Sequence, residues 1–308
     1  MNRRKRVLIT GGAGFIGSHL ANRLSKDNFN ILVADNLSKG KKDNLDKHVT
    51  LVKQDIRSKN FIATFKQFKP DYLFHLAAQT SLVKSQEDPK TEFKTNFLPI
   101  IEILEAAKKI NLKKIIFSSS AAVYGDCKDL PIKENSLTNP ISPYGISKLA
   151  TENYIKYFSK EYKLPYAILR YANVFGPKQN FTDEGGVVAI FITKIINGKD
   201  VQINGSGKQT RDFIFVDDVV SANIKCLKEE ITGVYNVGTS RETSITGLYK
   251  KIKMLTKIQS KAQHAKTAFS GVLRSSLSTN LFYQKTGLKA ATDLSTGLKK
   301  TIKYFKQQ

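Results

Sequence analysis

The sequence predicts an α/β protein built on a doubly wound parallel sheet, with a smaller, partly interleaved C-terminal lobe. Short apolar runs alternate with helical patterns over residues 7–169, which is the order of βαβ units. Residues suited to ligand binding follow the ends of these runs, where sheets of this class bind their ligands. They are Gly11 to Gly14, Asp35, Ala77, Ser120 and Tyr171.

The first unit, VLITGGAGFIGSHL at residues 7–20, combines an apolar strand, a glycine-rich turn and the start of a helix. Glycines at such a turn let the backbone approach a pyrophosphate closely. The N–H groups of the new helix also favour an anion. A glycine-rich turn without a ligand is the alternative if this motif is taken alone.

An acidic residue about twenty positions further on is the next feature of a dinucleotide site. Residues 31–33 form a second apolar run, and Asp35 ends it. Its carboxylate could accept both ribose hydroxyls of an adenosine and would repel a 2′-phosphate. We therefore expect NAD rather than NADP as the cofactor.

The remaining elements follow in order along the chain. Strands are predicted over residues 49–52, 71–76, 114–117 and 166–169, and helices over 61–68, 91–110 and 144–162. After Gly176 the pattern changes to a helix over 185–196, strands over 201–203, 212–216 and 234–237, and a helix capped by Asp217–Asp218. We predict an NAD-binding Rossmann domain over residues 1–175. Residues 176–308 would be mainly a substrate-binding lobe, with some elements returning to the first domain.

Composition limits the class of protein. The 308 residues are 41% hydrophobic, which is enough for a sizeable core. Cys127 and Cys226 are too few for a disulfide framework or a zinc site, so we expect no metal and a reducing, cytoplasmic location. No apolar run reaches the roughly 18 residues of a membrane span. The basic, then apolar start is broken by glycines and lacks a cleavage site, which argues against a signal peptide.

The charge is strongly basic, with a formal net charge of +24. From Gly247 to Gln308 the chain has twelve lysines and one arginine against Asp293 alone. Such a surface can attract polyanions or an anionic membrane. The alternative is a lysine-rich composition with solvated faces. Aromatic residues are not interleaved as stacking platforms and no nucleic-acid motif is present, so a nucleic-acid partner is not expected.

A candidate catalytic pair lies in the segment SPYGISK. Tyr144 and Lys148 are four residues apart, which places both side chains on one helix face. A lysine ammonium and a nicotinamide cation would favour the phenolate, so Tyr144 could act as a general base near neutral pH. Ser120, at the end of the fifth strand, could bond the hydroxyl that Tyr144 deprotonates. A core tyrosine beside a solvated lysine is the alternative for the pair in isolation.

Together these residues resemble the extended short-chain dehydrogenase/reductases, and within them the UDP-glucose and UDP-N-acetylglucosamine 4-epimerases. The resemblance covers roughly residues 6 to 240. The matching motifs are TGGAGFIGSHL, DNLSKG, Asp55–Ile56, HLAAQ, SSSAAVYGD, SPYGISK, LRYANVFGP, GVVAIF and TRDFIFVDDV.

The resemblance implies a role for each matching residue. The catalytic residues would be Ser120, Tyr144 and Lys148. The NAD contacts would be Gly11, Gly14, Phe15, Ile16, Asp35, Asn36, Asp55, Ile56, Ala77, Ala78, Asn96, Ser118, Tyr144, Lys148 and Tyr171. The nucleotide-sugar contacts would be Ser120, Tyr144, Asn173, Val188 and Arg211. The implied reaction is redox-neutral: the sugar C4 is oxidised to a ketone by enzyme-held NAD, turns over and is reduced on its other face.

Two alanines favour epimerisation over a related reaction. The similar 4,6-dehydratases carry an Asp–Glu pair after the residue that ends the fifth strand, whereas this chain has Ala121 and Ala122. Methyl groups cannot transfer a proton, so elimination of water is disfavoured. The glutamate that related decarboxylases commonly carry in this segment is also absent.

The last quarter departs from the family pattern. Relatives usually carry an Arg-x-Gly-Asp stretch whose arginine holds the diphosphate, where this chain has Ala268, Phe269, Ser270 and Gly271. Arg274 or a lysine is the candidate replacement. Ser275 occupies the position that limits the sugar 2-substituent, and its small side chain would leave room for an N-acetyl group. Arg211 would supply a charged fork for the pyrophosphate, with a surface pair to Asp212 as its alternative.

Three functions remain open from the sequence. The first is a UDP-sugar 4-epimerase acting on glucose/galactose, on the N-acetylated sugars or on both. The second is another nucleotide-sugar epimerase or reductase, and the third is a non-catalytic NAD-binding protein with a polyanion-binding basic C-terminal region. Intact Ser120, Tyr144 and Lys148 argue against the third. By resemblance we also expect a homodimer through the helices predicted over 91–110 and 144–162.

Overall fold

The strands and helices come from a computed structural model that describes residues 4–181, 186–228, 231–265 and 271–308. The strands are β1 (Lys5–Thr10), β2 (Phe29–Asp35), β3 (Thr50–Lys53), β4 (Tyr72–His75), β5 (Lys114–Ser120), β6 (Tyr166–Tyr171), β7 (Asn173–Phe175), β8 (Val201–Asn204), β9 (Thr210–Arg211), β10 (Phe213–Phe215), β11 (Gly233–Val237), β12 (Thr243–Ser244) and β13 (Ala262–Ala265). The helices are α1 (Phe15–Leu24), α2 (Lys59–Phe68), α3 (Leu82–Glu87), α4 (Pro89–Asn96), α5 (Leu98–Ala107), α6 (Pro143–Tyr162), α7 (Val187–Ile196), α8 (Val216–Lys228), α9 (Ile245–Thr256), α10 (Asn280–Thr286) and α11 (Leu294–Phe305).

The largest sheet has seven strands in the order β11-β6-β5-β4-β1-β2-β3. From β5 to β3 every neighbouring pair is parallel, with β1 at the centre between β4 and β2. Successive β1 residues such as Val7 and Leu8 point to opposite faces of the sheet, and both are fully buried. Helices therefore cover both faces, as in other parallel sheets. The predicted α/β doubly wound fold is confirmed.

The helix predicted over 91–110 is wrong as a single element, because two helices occupy this stretch. Helix α4 ends at Asn96 and α5 begins at Leu98. Pro99 lies in the first turn of α5 and has no N–H, so a continuous ladder of hydrogen bonds cannot run through it. The apolar spacing continued across this break, which is why the periodicity alone did not indicate it.

The chain forms two compact units, each made of several segments. The first comprises residues 1–123, 140–170 and 220–235, and the second comprises 124–139, 171–219 and 236–308. This partition differs from the division at residue 175 that the sequence suggested. Residues 124–139 join the second unit because Ile132 exchanges backbone hydrogen bonds with the segment around Leu277. Residues 220–235 join the first unit, where Lys114 Nζ donates to the carbonyl of Cys226 at 2.6 Å.

The second unit contains three two-stranded sheets. They pair β7 with β10 and β8 with β13 in parallel, and β9 with β12 antiparallel. Phe175 and Phe215 form an edge-to-face pair with ring centres 5.6 Å apart. A Cβ at Gly297 of α11 would lie 2.6 Å from the Phe175 ring, so glycine is what lets α11 pack against this aromatic pair.

No helix within the described ranges is both long enough and apolar enough to cross a bilayer. In the same part of the chain, no three His, Cys, Asp or Glu side chains cluster in a way that could hold a metal ion.

Candidate active site

The glycine turn between β1 and α1 is built for close backbone approach. Gly11 has φ +67°, and a Cβ there would lie 2.7 Å from the backbone of Ala77. Gly14 caps α1 without any side-chain hydrogen bond, and a Cβ at Gly17 would collide with the Gly11 carbonyl at 2.3 Å. Side chains are thus kept away from the backbone at the start of α1, where Phe15 and Ile16 are the first helical residues. This geometry fits the pyrophosphate of a dinucleotide.

Asp35 is fixed beside this turn at the end of β2. Its carboxylate accepts hydrogen bonds from the backbone N–H of Ala13 at 3.0 Å and of Leu37 at 2.8 Å. Each carboxylate oxygen has further acceptor capacity, so both can still receive a ribose hydroxyl. The placement therefore fits the adenosine ribose of NAD.

Asp55 and Asn36 meet at the neighbouring strand end. Asn36 Nδ2 donates to Asp55 at 3.1 Å, and the Arg57 guanidinium forms a two-pronged pair with the same carboxylate. The hydrogen bonds and positive charge of Arg57 hold the pKa of Asp55 well below its usual range. Asp55 is therefore ionised, and Ile56 next to it is buried. Arg57 was not among the predicted site residues, because the sequence does not show that its guanidinium pairs with the Asp55 carboxylate.

Asn96 holds the loop that follows β4. Its side-chain oxygen accepts from Gln79 N at 2.7 Å, and its Nδ2 donates to Gln79 O at 2.8 Å. In the same loop Ala77 N donates to Thr10 Oγ1 at 3.3 Å, and Ala78 follows it. These bonds place the loop against the glycine turn. The expected contact of Asn96 with NAD stays a prediction, since its amide is already engaged with this loop.

Lys148 is buried beneath the end of β5. Its Nζ donates to the carbonyl of Ser118 at 2.8 Å and lies 4.8 Å from the centre of the Phe117 ring. Burial lowers the pKa of Lys148 to about 8, against the opposing effect of the charges of Glu92 and Glu152. The ammonium form therefore predominates at neutral pH.

Tyr144 is placed by the first turn of α6. Ser142 caps this helix by accepting from the Gly145 N–H at 3.1 Å, and Pro143 occupies its first position. A Cβ at Gly145 would lie 2.7 Å from the carbonyl of Ala122, so glycine permits the helix to approach the end of β5. Tyr144 is half-buried there and hydrogen-bonds Ser120. The structure thus brings the predicted catalytic residues Ser120, Tyr144 and Lys148 together.

The chain's own groups, Lys148 included, do not by themselves make the Tyr144 phenol acidic, so the expected phenolate depends on the nicotinamide cation as well. Burial raises the pKa of Tyr144 to about 12, the Ser120 hydrogen bond lowers it, and the charge of Glu92 raises it. Lys148 Nζ lies 5.8 Å from the centre of the Tyr144 ring and does not offset the burial. The phenol is therefore protonated at neutral pH, and a further positive charge is needed to favour the phenolate.

Apart from Ser120 and Tyr144, the residues expected to bind the nucleotide sugar lie in the second unit. Asn173 is exposed in β7, and its N–H donates to the Asp212 carbonyl at 2.8 Å. Val188 is buried in the first turn of α7, so its backbone rather than its side chain is the part suited to a ligand. Ser275 is half-buried, and Tyr171 is buried at the end of β6. Ala268, Phe269 and Ser270 lie outside the described residues.

Arg211 and Arg274 lie close to the β9–β12 pair. Arg211 Nη1 donates to the Thr210 carbonyl at 2.7 Å, and burial lowers its pKa. Arg274 forms a fork with Glu242, whose carboxylate also accepts from the Thr210 hydroxyl. The alternative pairing of Arg211 with Asp212 is disfavoured. Within the described chain, the buried Asp212 carboxylate is satisfied by the Thr239 hydroxyl and by backbone N–H groups.

The fold and the site define the extended short-chain dehydrogenase/reductase class, in which a glycine turn and an acidic strand end hold NAD and a Tyr–Lys pair acts on the substrate. A family model described as the NAD dependent epimerase/dehydratase family matches residues 7–238. The chain belongs to this family, and NAD is its cofactor.

Its relatives extend over nearly the whole chain. The UDP-glucose 4-epimerase of Mycolicibacterium smegmatis is 35% identical over 311 residues, covering 98% of this chain and 99% of that protein. A Thermotoga maritima UDP-glucose 4-epimerase solved with UDP-glucose has a TM-score of 0.95 at 39% identity, covering 98% of this chain and 99% of that one. A Methanobrevibacter ruminantium UDP-N-acetylglucosamine 4-epimerase, in complex with UDP-N-acetylmuramic acid, has a TM-score of 0.93 at 34% identity and covers 99% of both chains. The chain is thus an epimerase of the nucleotide-sugar type.

Proposed function

We propose that this enzyme epimerises C4 of a UDP-sugar through a 4-keto intermediate, with UDP-glucose and UDP-galactose, their N-acetylated forms, or both as substrates. The observation that carries the proposal is the placement of Tyr144 next to Ser120 at the end of β5, with Lys148 Nζ fixed beneath by the Ser118 carbonyl and 5.8 Å from the centre of the Tyr144 ring. The names of relatives that bind UDP-glucose and UDP-N-acetylmuramic acid support a UDP-linked sugar.

The chain's own residues fit each requirement of this chemistry. NAD, when bound at the glycine turn and Asp35, supplies a hydride acceptor and later a hydride donor, together with the positive charge of its oxidised ring. Tyr144 takes the proton of the sugar 4-hydroxyl and returns it at the end. Ser120 holds that hydroxyl in line, and Lys148 contributes its charge from below.

The turn after β5 favours epimerisation over elimination. Its residues Ala121 and Ala122 carry no proton-transferring group, and the Ala122 N–H donates to Ser120 Oγ at 3.2 Å. This bond orients the hydroxyl lone pairs of Ser120. The 4-keto intermediate therefore meets one acid–base group, Tyr144, and returns to a sugar by reduction.

In the second unit, Arg211 is the candidate for the diphosphate, because a desolvated guanidinium forks well onto phosphate oxygens. Arg274 is the candidate for the missing family arginine. The small, half-buried Ser275 supports acceptance of an N-acetyl group.

The test is to incubate the purified protein with UDP-glucose, UDP-galactose and their N-acetyl counterparts, and to follow the C4 configuration by proton NMR. We expect interconversion of at least one pair, and a loss of more than about a thousandfold in kcat for Tyr144→Phe. Tyr162→Phe, an exposed tyrosine on the same helix, is the matched control. Full conversion by Tyr144→Phe would rule out the mechanism, and change at another carbon would reassign the reaction.

A homodimer is part of the same proposal. Exposed apolar side chains gather on α4, α5 and α6 of the first unit: Phe93, Leu98, Ile146, Tyr157 and Tyr162. The Phe97 ring contacts both the Phe93 ring and the Tyr154 ring, with ring centres 4.6 Å and 6.0 Å apart. A patch of this kind is typical of a protein–protein interface. We assign it to a second copy of the chain, and we place the enzyme in the cytoplasm, where free cysteines such as Cys127 and Cys226 stay reduced.

A further inference from the structure

Glu92 is a buried carboxylate in α4 that the reaction described above does not use. It is 2% exposed and accepts three hydrogen bonds. The donors are the Asn96 amide, Gln79 Nε2 at 2.9 Å and the Ser147 hydroxyl at 2.7 Å. They come from its own helix, from the loop after β4 and from α6. Because a carboxylate only accepts, it suits a position where every neighbour donates.

Within the first unit, these bonds connect the loop after β4 to helix α6. Gln79 belongs to the loop whose Ala77 backbone packs against the glycine turn. Its side chain also bonds the backbone of Ser81, which fixes the orientation of its amide. Ser147 directly precedes Lys148 on α6. Glu92 therefore ties the cofactor loop to the helix that carries the catalytic pair.

The charge of Glu92 is balanced differently from that of the second buried carboxylate near this pair. Glu152 is paired with Arg170, whose Nη2 lies 2.6 Å from Oε2, and it also accepts from the Ser119 hydroxyl. The three donors to Glu92 are neutral, so its charge acts on the ionisable groups nearby. It raises the pKa of both Tyr144 and Lys148.

We propose that Glu92 is a positioning residue of the reaction: its carboxylate fixes Ser147 and the loop of residues 79–81, and it places a buried negative charge, bonded by neutral donors only, beside the helix that carries Lys148. Among the described residues, the titratable groups linked to Lys148 are Glu92 from α4 and Glu152 from α6, which raise its pKa, and His75 from β4, whose own pKa the Lys148 charge lowers. His75 is neutral at neutral pH and Glu152 is paired with Arg170, and Glu92 has the larger of the two acidic effects on Lys148. Only the kinetic consequences of this proposal rest on the proposed function.

The charge can be tested in the full-length protein without any sugar. Glu92→Gln removes the charge at nearly constant size, and Glu87→Gln changes an exposed carboxylate five residues earlier as the control. The 13Cε resonance of Lys148, identified by its loss in Lys148→Met, is titrated by NMR from pH 6 to 10. We expect its midpoint to fall by about half a pH unit or more in Glu92→Gln and to stay unchanged in Glu87→Gln. Equal midpoints in the wild type and Glu92→Gln would overturn the proposal.

The pH profile of kcat/KM is the second readout. Loss of the Glu92 charge lowers the pKa of Tyr144 and of Lys148, so both the acidic and the alkaline limb should move to lower pH. A loss of activity without movement of the limbs would show a structural role only and overturn the charge effect. If the wild type turned over no UDP-sugar, the proposed function would fail, whereas the NMR titration would still decide the role of Glu92.

Glu92→Asp separates position from charge. It keeps the charge but withdraws the carboxylate by one methylene, which lengthens the bonds to Ser147 and Gln79. We expect kcat to fall about tenfold, the equivalent of roughly one such bond, with the limbs in place. A wild-type kcat in the folded variant would overturn the positioning role, and this variant decides that role if Glu92→Gln does not fold.

Discussion

His75 lies at the end of β4 with its ring 1% exposed, stacked on Phe117 at 5.8 Å between ring centres. Its Nδ1 is 2.9 Å from Thr10 Oγ1, next to the glycine turn. Burial, helped by the positive charge of Lys148, lowers the pKa of His75 to about 3. The folded protein therefore holds a neutral imidazole over a pH range in which the unfolded chain binds a proton.

Because of this difference, the free energy of unfolding depends on pH. Between pH 6.5 and about 3 only the unfolded state takes up the proton, so the free energy of unfolding falls as the pH falls through this window. At pH 5 we expect a loss of about 2 kcal/mol relative to pH 7 from this residue. Urea unfolding at both pH values measures it. The difference should shrink by that amount in His75→Gln and persist in His48→Gln, an exposed histidine; an unchanged difference in His75→Gln would contradict the assignment.

The two arginines near β9 can be ranked by kinetics. Arg211 is half-buried, whereas the Arg274 side chain is 62% exposed and already paired with Glu242. We expect Arg211→Ala to raise KM for the UDP-sugar about ten- to a hundredfold with kcat little changed, because it removes charged hydrogen bonds to the diphosphate. Arg274→Ala should raise KM less, since its guanidinium must first leave Glu242. Equal, negligible effects on KM would mean that neither arginine binds the diphosphate.

Local chemistry explains which site residues the sequence could predict. Gly11, Asp35 and the Tyr144–Lys148 pair lie at fixed spacings within one or two elements, so the sequence alone indicates them as candidate site residues. Glu92 and Arg57 could not be predicted, because a charged residue on a helix or loop is usually solvated. Glu92 depends on Gln79 and Ser147, which only the fold brings near it, whereas Arg57 pairs with Asp55 two residues away. The raised pKa of Tyr144 likewise follows from burial, which a sequence does not give.

At the scale of elements, the break between α4 and α5 changes the surface that the first unit presents. Phe97 stands at the junction of the two helices, between Phe93 on α4 and Tyr154 on α6. The predicted single helix would have carried Phe93 and Phe97 on one straight face. The break instead gathers aromatic rings from three helices into one patch, which is the proposed dimer face.

A charge placed in this patch should separate the dimer. We expect Tyr157→Arg to shift the protein from dimer to monomer, because an arginine without a partner would be buried at the interface. Sedimentation velocity at micromolar concentration measures the change. Met254→Arg, at a 65% exposed apolar residue of α9, is the control and should leave the oligomeric state unchanged. A wild type that is monomeric, or a variant that stays dimeric, would contradict the assigned face.

At the scale of the whole molecule, the net charge of +24 opposes compactness. Lysines without nearby acids repel one another, and salt screens this repulsion over about 10 Å at 0.1 M. We expect Tm to rise by a few degrees between about 0.02 and 0.5 M NaCl, since about 1 kcal/mol corresponds to roughly 1.5 °C in a protein of this size. Circular dichroism melts in NaCl and KCl should agree. A Tm that is constant or falls with salt would show that ion pairs outweigh the repulsion.

The order of strands and helices could be predicted from the sequence, and so could a partly interleaved second lobe, but the segments that are exchanged between the units could not. Each strand of the sheet is a local apolar run, and its parallel pairing follows from the intervening helix. The membership of residues 124–139 and 220–235 depends on contacts between segments far apart in the chain, such as Ile132 with the segment around Leu277. No local pattern encodes such contacts.

The edge position of β11 also sets an order of events while the chain is being made. Strand β6 is complete at Tyr171, but its outer neighbour β11 begins only at Gly233. A ribosome that adds roughly 5 to 20 residues per second leaves the outer edge of β6 open for several seconds. An open strand edge can pair with a neighbouring nascent chain. Neighbouring nascent chains on one polysome can therefore pair at this edge until β11 has been made.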